Sequence, residues 1–248
     1  MTSRGWLGAG LLCSQCAVCR SWPARAVCHA CLERFAEPQP RCRTCALVLP
    51  ADLSLGLSPQ PERCPGCTVR PPELDACFAA LTYAYPWSDL IGRFKFSNQT
   101  GWSPFFADMM LSASLCRNLL AQLDAADLVV PMPLAQGRLQ SRGFNQAWEL
   151  AKALHQQSGC KARLDATLLL RLRATLAQSR LKRAQRLRNV KGAFAVDPLR
   201  HASLKGRRVL LVDDVMTSGA SVFTAAQALR EAGASEVAAA LLARTEPA

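Results

Sequence analysis

Long apolar runs are missing: no stretch of the 248-residue chain approaches the roughly 20 consecutive apolar residues that cross a bilayer, so a soluble protein is expected. The apolar segment Trp6 to Leu12, with Arg4 before it, faintly imitates a signal peptide. It is only seven residues long, and Leu12 is bulky where a cleavage or lipidation site wants a small residue, so it reads as a hydrophobic anchor for the first cysteines. Aromatic residues are scarce at 6%, which argues against an open stacking platform for single-stranded nucleic acid. Nor does any segment mark a nucleobase pocket. Acidic residues are rare in one region: between Arg138 and Arg208 only Glu149, Asp165 and Asp197 stand against 17 Lys and Arg, a balance of +14 in a chain of net charge +12. Such a block is either a solvated face or an electrostatic footprint for phosphate-bearing ligands. Its position between two candidate phosphate-binding elements favours the second reading.

What the chain does have is cysteine. Twelve are present, and eight form successive C-x2-C pairs: Cys16 and Cys19, Cys28 and Cys31, Cys42 and Cys45, Cys64 and Cys67. Two thiolates three residues apart reach one metal from a tight knuckle, and two knuckles complete a tetrahedral zinc site. Disulfides would require an oxidising compartment, for which no export signal speaks, so structural zinc in a reducing cytoplasm is expected. Spacing leaves open whether there are one or two ions, which pairs share them, and whether Cys13 replaces Cys16. Cys77, Cys116 and Cys160 are isolated and read as small core hydrophobes. His29 is dispensable as a ligand. No repeat other than these knuckles is visible.

The segment Pro50 to Pro72 is rich in Pro, Ser and Leu, which places a boundary near residue 75 and divides the chain into a cysteine-rich module over 1–75 and a second domain over 76–248. Beyond it the pattern predicts strands at Ala80–Tyr85, Asp127–Val130, Arg208–Val212 and Val237–Ala243. Helices are predicted at Trp87–Lys95, Pro104–Leu123, Phe144–Gln156 and Ser221–Glu231, the last closed by Gly233. Strands alternating with helices indicate an open, mostly parallel α/β sheet.

The most informative run is V-L-L-V-D-D-V-M-T-S-G-A-S, Val209 to Ser221. Four aliphatics make a strand buried on both faces, so Asp213 and Asp214 fall at the carboxyl end of the sheet, where open α/β folds bind ligands. Adjacent carboxylates at such a place repel each other unless hydroxyl donors or a cation use them. Thr217, Ser218, Gly219, Ala220 and Ser221 then lead into a helix, and their N–H groups and hydroxyls make a cradle for a phosphate monoester.

That order resembles the phosphoribosyl pyrophosphate motif of type I phosphoribosyltransferases. Further residues resemble the competence protein F family: V-V-P-M-P-L (Val129 to Leu134) with Arg138, R-G-F-N-Q (Arg142 to Gln146), Thr175 and Gln178, then Arg186, Asn189 and G-A-F (Gly192 to Phe194). With the knuckles, the resemblance spans nearly the whole chain. It implies a type I phosphoribosyltransferase fold behind a double zinc ribbon. It implies that Asp213 and Asp214 contact the ribose hydroxyls, that Thr217 to Ser221 hold the 5'-phosphate, and that Arg138 and Arg142 contact pyrophosphate. Thr175, Gln178 and Arg186 would lie on a flap that closes over it. Taken without the resemblance, Arg142 to Gln146 also reads as a helix start capped by Asn145.

Phosphoribosyl transfer passes through an oxocarbenium-like state as pyrophosphate leaves, and magnesium would supply charge that arginines alone do not. No acceptor is identified, so the enzyme reading, a glycosyltransferase, stays open. Two functions are carried forward. One is a phosphoribosyl pyrophosphate- and magnesium-binding protein linked to DNA uptake and use of external DNA. The other is a non-catalytic single-stranded DNA-binding protein that keeps the fold and works with DNA-uptake proteins.

Overall fold

The computed structural model describes residues 15–22, 25–50, 62–96, 99–172 and 192–246. They fall in two compact units, Met1–Glu37 and Pro38–Ala248. The smaller holds helix α1 (His29–Phe35), and Cys28 stands at its N-cap. In the larger, α2 (Pro65–Val69) repeats that arrangement with Cys64 at the N-cap and Pro65 in the first turn, where a missing N–H costs nothing. The second cysteine tetrad thus packs with the α/β unit, and Cys42, Cys45, Ala46 and Cys67 share a buried cluster with sheet residues.

The sheet has the order β1-β7-β6-β2-β3 and comprises β1 (Ala76–Thr82), β7 (Glu236–Arg244), β6 (Arg208–Met216), β2 (Leu128–Pro131) and β3 (Arg163–Leu164). All four pairings are parallel, the open α/β sheet expected. Helices cover both faces. On one lie α3 (Trp87–Phe96), α4 (Ser103–Ser112) and α7 (Gln146–Ser158), with α5 (Ser114–Ala121) beyond them. The scarce aromatics are spent here: Phe94 meets Phe106 edge-on at 5.6 Å, and Trp102 stacks on Phe106 at 5.6 Å. The other face carries α9 (Ala220–Glu231), the short α8 (His201–Leu204), and a two-stranded antiparallel ribbon of β4 (Leu169–Arg171) and β5 (Phe194–Val196). Helix α6 (Gln136–Arg142) follows β2 at the carboxyl edge. Because both faces are covered, β6 reads as a continuous apolar run, Val209 to Val212, at 1% exposure or less.

Two expected elements are corrected. The strand predicted at Ala80–Tyr85 runs Ala76–Thr82, since its register pairs Ala76 with Ala238 and Thr82 with Arg244, and Ala84 N–H turns back to the Thr82 carbonyl. The helix predicted over Pro104–Leu123 is broken at Ala113, which is extended (φ −82°, ψ 131°). There the Ser112 hydroxyl donates to the Met109 carbonyl at 2.7 Å, and the Arg117 guanidinium takes the freed Leu111 and Ser112 carbonyls. Local side-chain hydrogen bonds of this kind compete with the helix ladder.

Part of the basic block is structural. At the amino end of the sheet, buried Asp127 accepts from the Arg208 backbone N–H and from its Nε, both at 2.9 Å, and its carboxyl is held below the usual range by these bonds despite desolvation. Arg200 pairs with Asp165 at 2.5 Å, and Lys152 with Glu149 at 2.9 Å. Asp127→Ala leaves the Arg208 side chain and the backbone N–H groups of Arg208 and Asp124 without their carboxylate acceptor. It should cost about 2–4 kcal/mol by urea denaturation, with ligand binding at the opposite edge unchanged.

Candidate functional site

β6 and β2 are neighbours, so the loops after them share one end of the sheet. Pro131 pairs with Val212, and Met132 N–H donates to the Val212 carbonyl at 2.8 Å. Asn145 fastens the next turn: its amide donates to the Met132 carbonyl at 3.1 Å, and its Oδ1 accepts from Ala147 N–H at 3.0 Å, capping α7. The cap reading of Asn145 is thus correct. Arg142, half-buried at the end of α6, donates to Gln146 Oε1 at 2.9 Å and stacks 4.8 Å over exposed Phe96. Burial depresses its pKa, while the Asp214 and Asp213 carboxyls pull it up and Arg138 pushes it down. Arg138 itself is exposed on α6.

Asp213 and Asp214 end the apolar part of β6 as expected. Asp213 Oδ1 accepts from the Asp214 N–H at 2.9 Å, and Asp214 Oδ1 from the Val215 N–H at 2.6 Å. Asp214 is buried, and its Oδ2 lies 3.1 Å from Lys95 Nζ. Asp213 is half-buried. Desolvation by the surrounding protein, then the adjacent Asp214 carboxylate, push its carboxyl up to about 8.

The strand runs on to Met216, and Thr217 to Ser221 turn into α9. Gly219 is the N-cap, with φ +81°, and a Cβ there would stand 2.4 Å from Phe223 Cε2 and 2.5 Å from Met216 Cε, so glycine is required on both counts. Ser218 Oγ accepts from Ala220 N–H at 3.4 Å, so hydroxyl-bearing residues surround a helix N-terminus, the end of a helix that favours negative charge.

Three residues at this end went unnoticed in the sequence. Lys95, on α3, stands far from Asp214 in the chain. Arg171, on β4, feels both Arg138 and Asp213 and is depressed chiefly by burial. Buried Arg244, at the end of β7, donates through Nη1 to the carbonyls of Met216 (3.0 Å) and Thr217. None has a local signal; an alternating reading of β7 places Arg244 only as the charged end of an apolar strand. The expected flap residues Thr175, Gln178 and Arg186 lie outside the described residues.

The eight paired cysteines form two groups, Cys16, Cys19, Cys28 and Cys31, and Cys42, Cys45, Cys64 and Cys67, with ligand atoms within 4.8 Å of one another in each. Sulfurs of Cys19 and Cys28 are 3.6 Å apart, as are those of Cys45 and Cys64. That is far beyond a disulfide at about 2.05 Å and close to the roughly 3.8 Å edge of a tetrahedron with zinc–sulfur bonds of about 2.3 Å. Both groups are built alike. A tight turn carries the first pair, and the residue after it is left-handed: Arg20 at φ 62° and Ala46 at φ 57°. The second pair straddles a helix start. Four thiols so close cannot all ionise alone: the Cys45 thiol, by hydrogen bonding, pulls Cys42 down to about 4 while Cys45 itself is pushed far up. The geometry fits a metal ion in each tetrad. Cys77 and Cys116 are buried and pushed up to about 12 by desolvation, as core hydrophobes should be.

An open parallel sheet with carboxylates and a phosphate-sized helix N-terminus at the end of its central strand defines a phosphoribosyltransferase-type domain, and residues 142–247 match the phosphoribosyl transferase domain family. Similar proteins include DNA utilization protein YhgH of Escherichia coli (strain K12), 34% identical over 182 residues, 73% of this chain and 78% of that one. Competence protein F of Haemophilus influenzae is 31% identical over 180 residues, 71% and 76% of the two chains. Competence protein ComFC of Bacillus subtilis is 34% identical over 106 residues, 43% and 39%. With such identity over most of its length, the chain belongs to the competence protein F family. Among the described residues no helix is long and apolar enough to cross a membrane.

The raised Asp213 carboxyl gives a pH test. A carboxyl whose pKa is higher folded than unfolded binds more protons in the native state, so its contribution is present below 3.8 and is lost as pH rises towards 8. Asp213→Asn removes that loss. Its thermal midpoint should equal that of the parent near pH 3 and exceed it at pH 8; a constant difference across that range would contradict the assignment.

Proposed function

We propose that this chain binds phosphoribosyl pyrophosphate with magnesium at the carboxyl end of β6. The observation that carries the reading is the adjacency of the Asp213–Asp214 pair to the Thr217–Ser221 turn on the N-terminus of α9. A ribose 5-phosphate requires that pairing: acceptors for two vicinal hydroxyls, and N–H donors for a dianion a few ångströms away. Asp213 and Asp214 accept from the hydroxyls. Arg142, within the electrostatic reach of that pair, and Arg138, whose charge acts on Arg142, face the pyrophosphate, joined by Arg171. Thr175, Gln178 and Arg186 form the closing flap in this proposal. Magnesium, when bound, supplies neutralising charge to the pyrophosphate, and the hard carboxyl oxygens of Asp213 suit it. The acid pair fixes the ring and the arginines hold the leaving group, the positioning a transfer step needs. The two tetrads each hold a structural zinc, which requires a reducing compartment such as the cytoplasm.

A second reading has its own support. The relatives' names tie those proteins to competence and DNA utilization, and the 17 Lys and Arg between Arg138 and Arg208 exceed what one pyrophosphate needs. This chain would then also contact single-stranded DNA through its backbone phosphates, with little sequence preference.

Isothermal titration separates these readings. Phosphoribosyl pyrophosphate should bind with magnesium and far more weakly without it. Binding at pH 7 should release a proton from Asp213, seen as a heat that depends on the buffer, and affinity should rise with pH until about 8. The double variant Asp213→Asn, Asp214→Asn should lose at least about tenfold in affinity and all of the proton release; unchanged binding would contradict the site. In parallel, oligonucleotide affinity should fall with salt at about 0.7 log units per phosphate contacted, and neutralising Arg180, Lys182 and Arg183 together should flatten that slope by about two units. A flat slope would remove the second reading.

A further inference from the structure

Arg244 is 4% exposed and makes hydrogen bonds in two directions at once. Its Nε donates at 2.9 Å to the carbonyl of Cys45, a ligand-bearing residue of the second tetrad. Its Nη1 donates to the carbonyls of Met216 (3.0 Å), Thr217 and Thr245 (2.6 Å). One guanidinium thus joins the knuckle turn, some 200 residues away in sequence, to the first peptide groups of the phosphate loop. We propose that Arg244 is a positioning residue through which occupancy of the Cys42, Cys45, Cys64 and Cys67 site sets the conformation of the Thr217–Ser221 loop and hence its affinity for a phosphate group. The affinity clause rests on the reading of that loop given above; the conformational clause does not.

Geometry supplies the first reason. A trans peptide is planar, with C=O and N–H pointing opposite ways. Holding the Thr217 carbonyl inward on Arg244 turns the Ser218 N–H away from the protein core, towards the side an anion approaches. The knuckle end of the tether is fixed just as deliberately. Arg41 donates to the Ala46 carbonyl at 3.0 Å and to Thr82 Oγ1 at 2.8 Å, and Glu246, 3.3 Å from Arg41, also accepts from Val48 N–H at 3.2 Å. The turn from Cys42 to Val48 is therefore stitched to the ends of β1 and β7. Thr82 and Met216 both stand opposite Arg244 in the sheet register.

Charge supplies the second reason. A four-thiolate zinc site carries a net charge of about −2, and the two guanidinium groups abutting its knuckle, Arg41 and Arg244, are partly and almost wholly buried. A buried cation is tolerated where opposite charge compensates it. When the metal leaves, the Cys42–Cys45 turn loses the bonds that fix it, and with them the constraint on Ala46, which stands in the left-handed region at φ 57°. The Cys45 carbonyl that accepts from Arg244 Nε moves with that turn, and the change passes to the contacts Arg244 makes at its other end, those to Met216 and Thr217. Coupling of this kind is reciprocal: a phosphate on the loop must tighten the metal by the factor by which the metal tightens the phosphate.

Hydrogen exchange on the full-length, zinc-loaded protein tests the conformational clause without any ligand. Removing metal with a chelator should speed exchange of the 217–221 amides about tenfold, within the usual span of coupling free energies, while the 209–212 amides stay protected. Cys64→Ser, which disables the second site alone, should reproduce this. Arg244→Lys keeps the charge but cannot fork to both partners; with zinc content unchanged, its loop should already exchange fast and should not respond to chelation. Phosphoribosyl pyrophosphate should slow zinc release from the parent protein and not from Arg244→Lys. Loop exchange indifferent to metal, coupled loss of the 209–212 protection, or intact coupling in Arg244→Lys would each overturn the proposal. If the parent loop responds to metal yet binds no phosphoribosyl pyrophosphate, the functional reading of the loop fails and the tether stands.

Discussion

Everything at the candidate site depends on a strand that is covered on both faces. β6 is walled in by β2 and β7 at its sides and by helices above and below, so its apolar part is removed from water up to its carboxyl end. Desolvation and the neighbouring carboxylate push the Asp213 carboxyl up to about 8, while Asp214 lies 3.1 Å from Lys95. The charge that develops when a diol or cation arrives is therefore felt strongly. Arg142 and Arg171, both depressed by burial, stand in the field of the same pair. The ring of cations and the two carboxyls balance one another across one sheet edge.

The phosphate loop adds a requirement of a different kind. Gly219 stands where a Cβ would meet Phe223 and Met216, and the Met216 and Thr217 carbonyls are held from behind by Arg244. Preorganised donors cost no rearrangement when the anion binds. The pinning arginine is reached from a cysteine knuckle, which makes the second tetrad more than an ornament on the α/β unit. The first tetrad repeats the same turn and helix start within the smaller unit.

Much of this could be read from the chain. Val209 to Ser221 announces itself because a doubly buried strand must be aliphatic throughout and its end must be something else, and the C-x2-C pairs announce metal because knuckle geometry demands that spacing. Pairing of the knuckles could not be read, since the loops between Cys19 and Cys28 and between Cys45 and Cys64 differ in length and either partner was sterically open. Nor could the break at Ala113, where serine hydroxyls and Arg117 outcompete a helix of otherwise good formers. Lys95, Arg171 and Arg244 were silent for a common reason: each is brought to the site by tertiary packing, of helix α3, of the β4–β5 ribbon and of β7 in its register, and each looks locally like an ordinary basic residue at an element's end. Asn145 was legible as a cap, and the same geometry that caps α7 also ties the turn after β2 to the site.

The central claim is that one end of β6 recognises both the diol and the 5'-phosphate of a phosphoribosyl group. Phosphorus NMR of phosphoribosyl pyrophosphate, titrated with the protein and magnesium, reports the two ends of the ligand separately. The account predicts that the 5'-phosphate resonance shifts and broadens together with those of the pyrophosphate, and that bulk at Gly219, in Gly219→Val, abolishes the 5'-phosphate change first. A 5'-phosphate resonance that stays sharp and unmoved while the pyrophosphate broadens would contradict it, because the arginines alone would then be holding a polyanion.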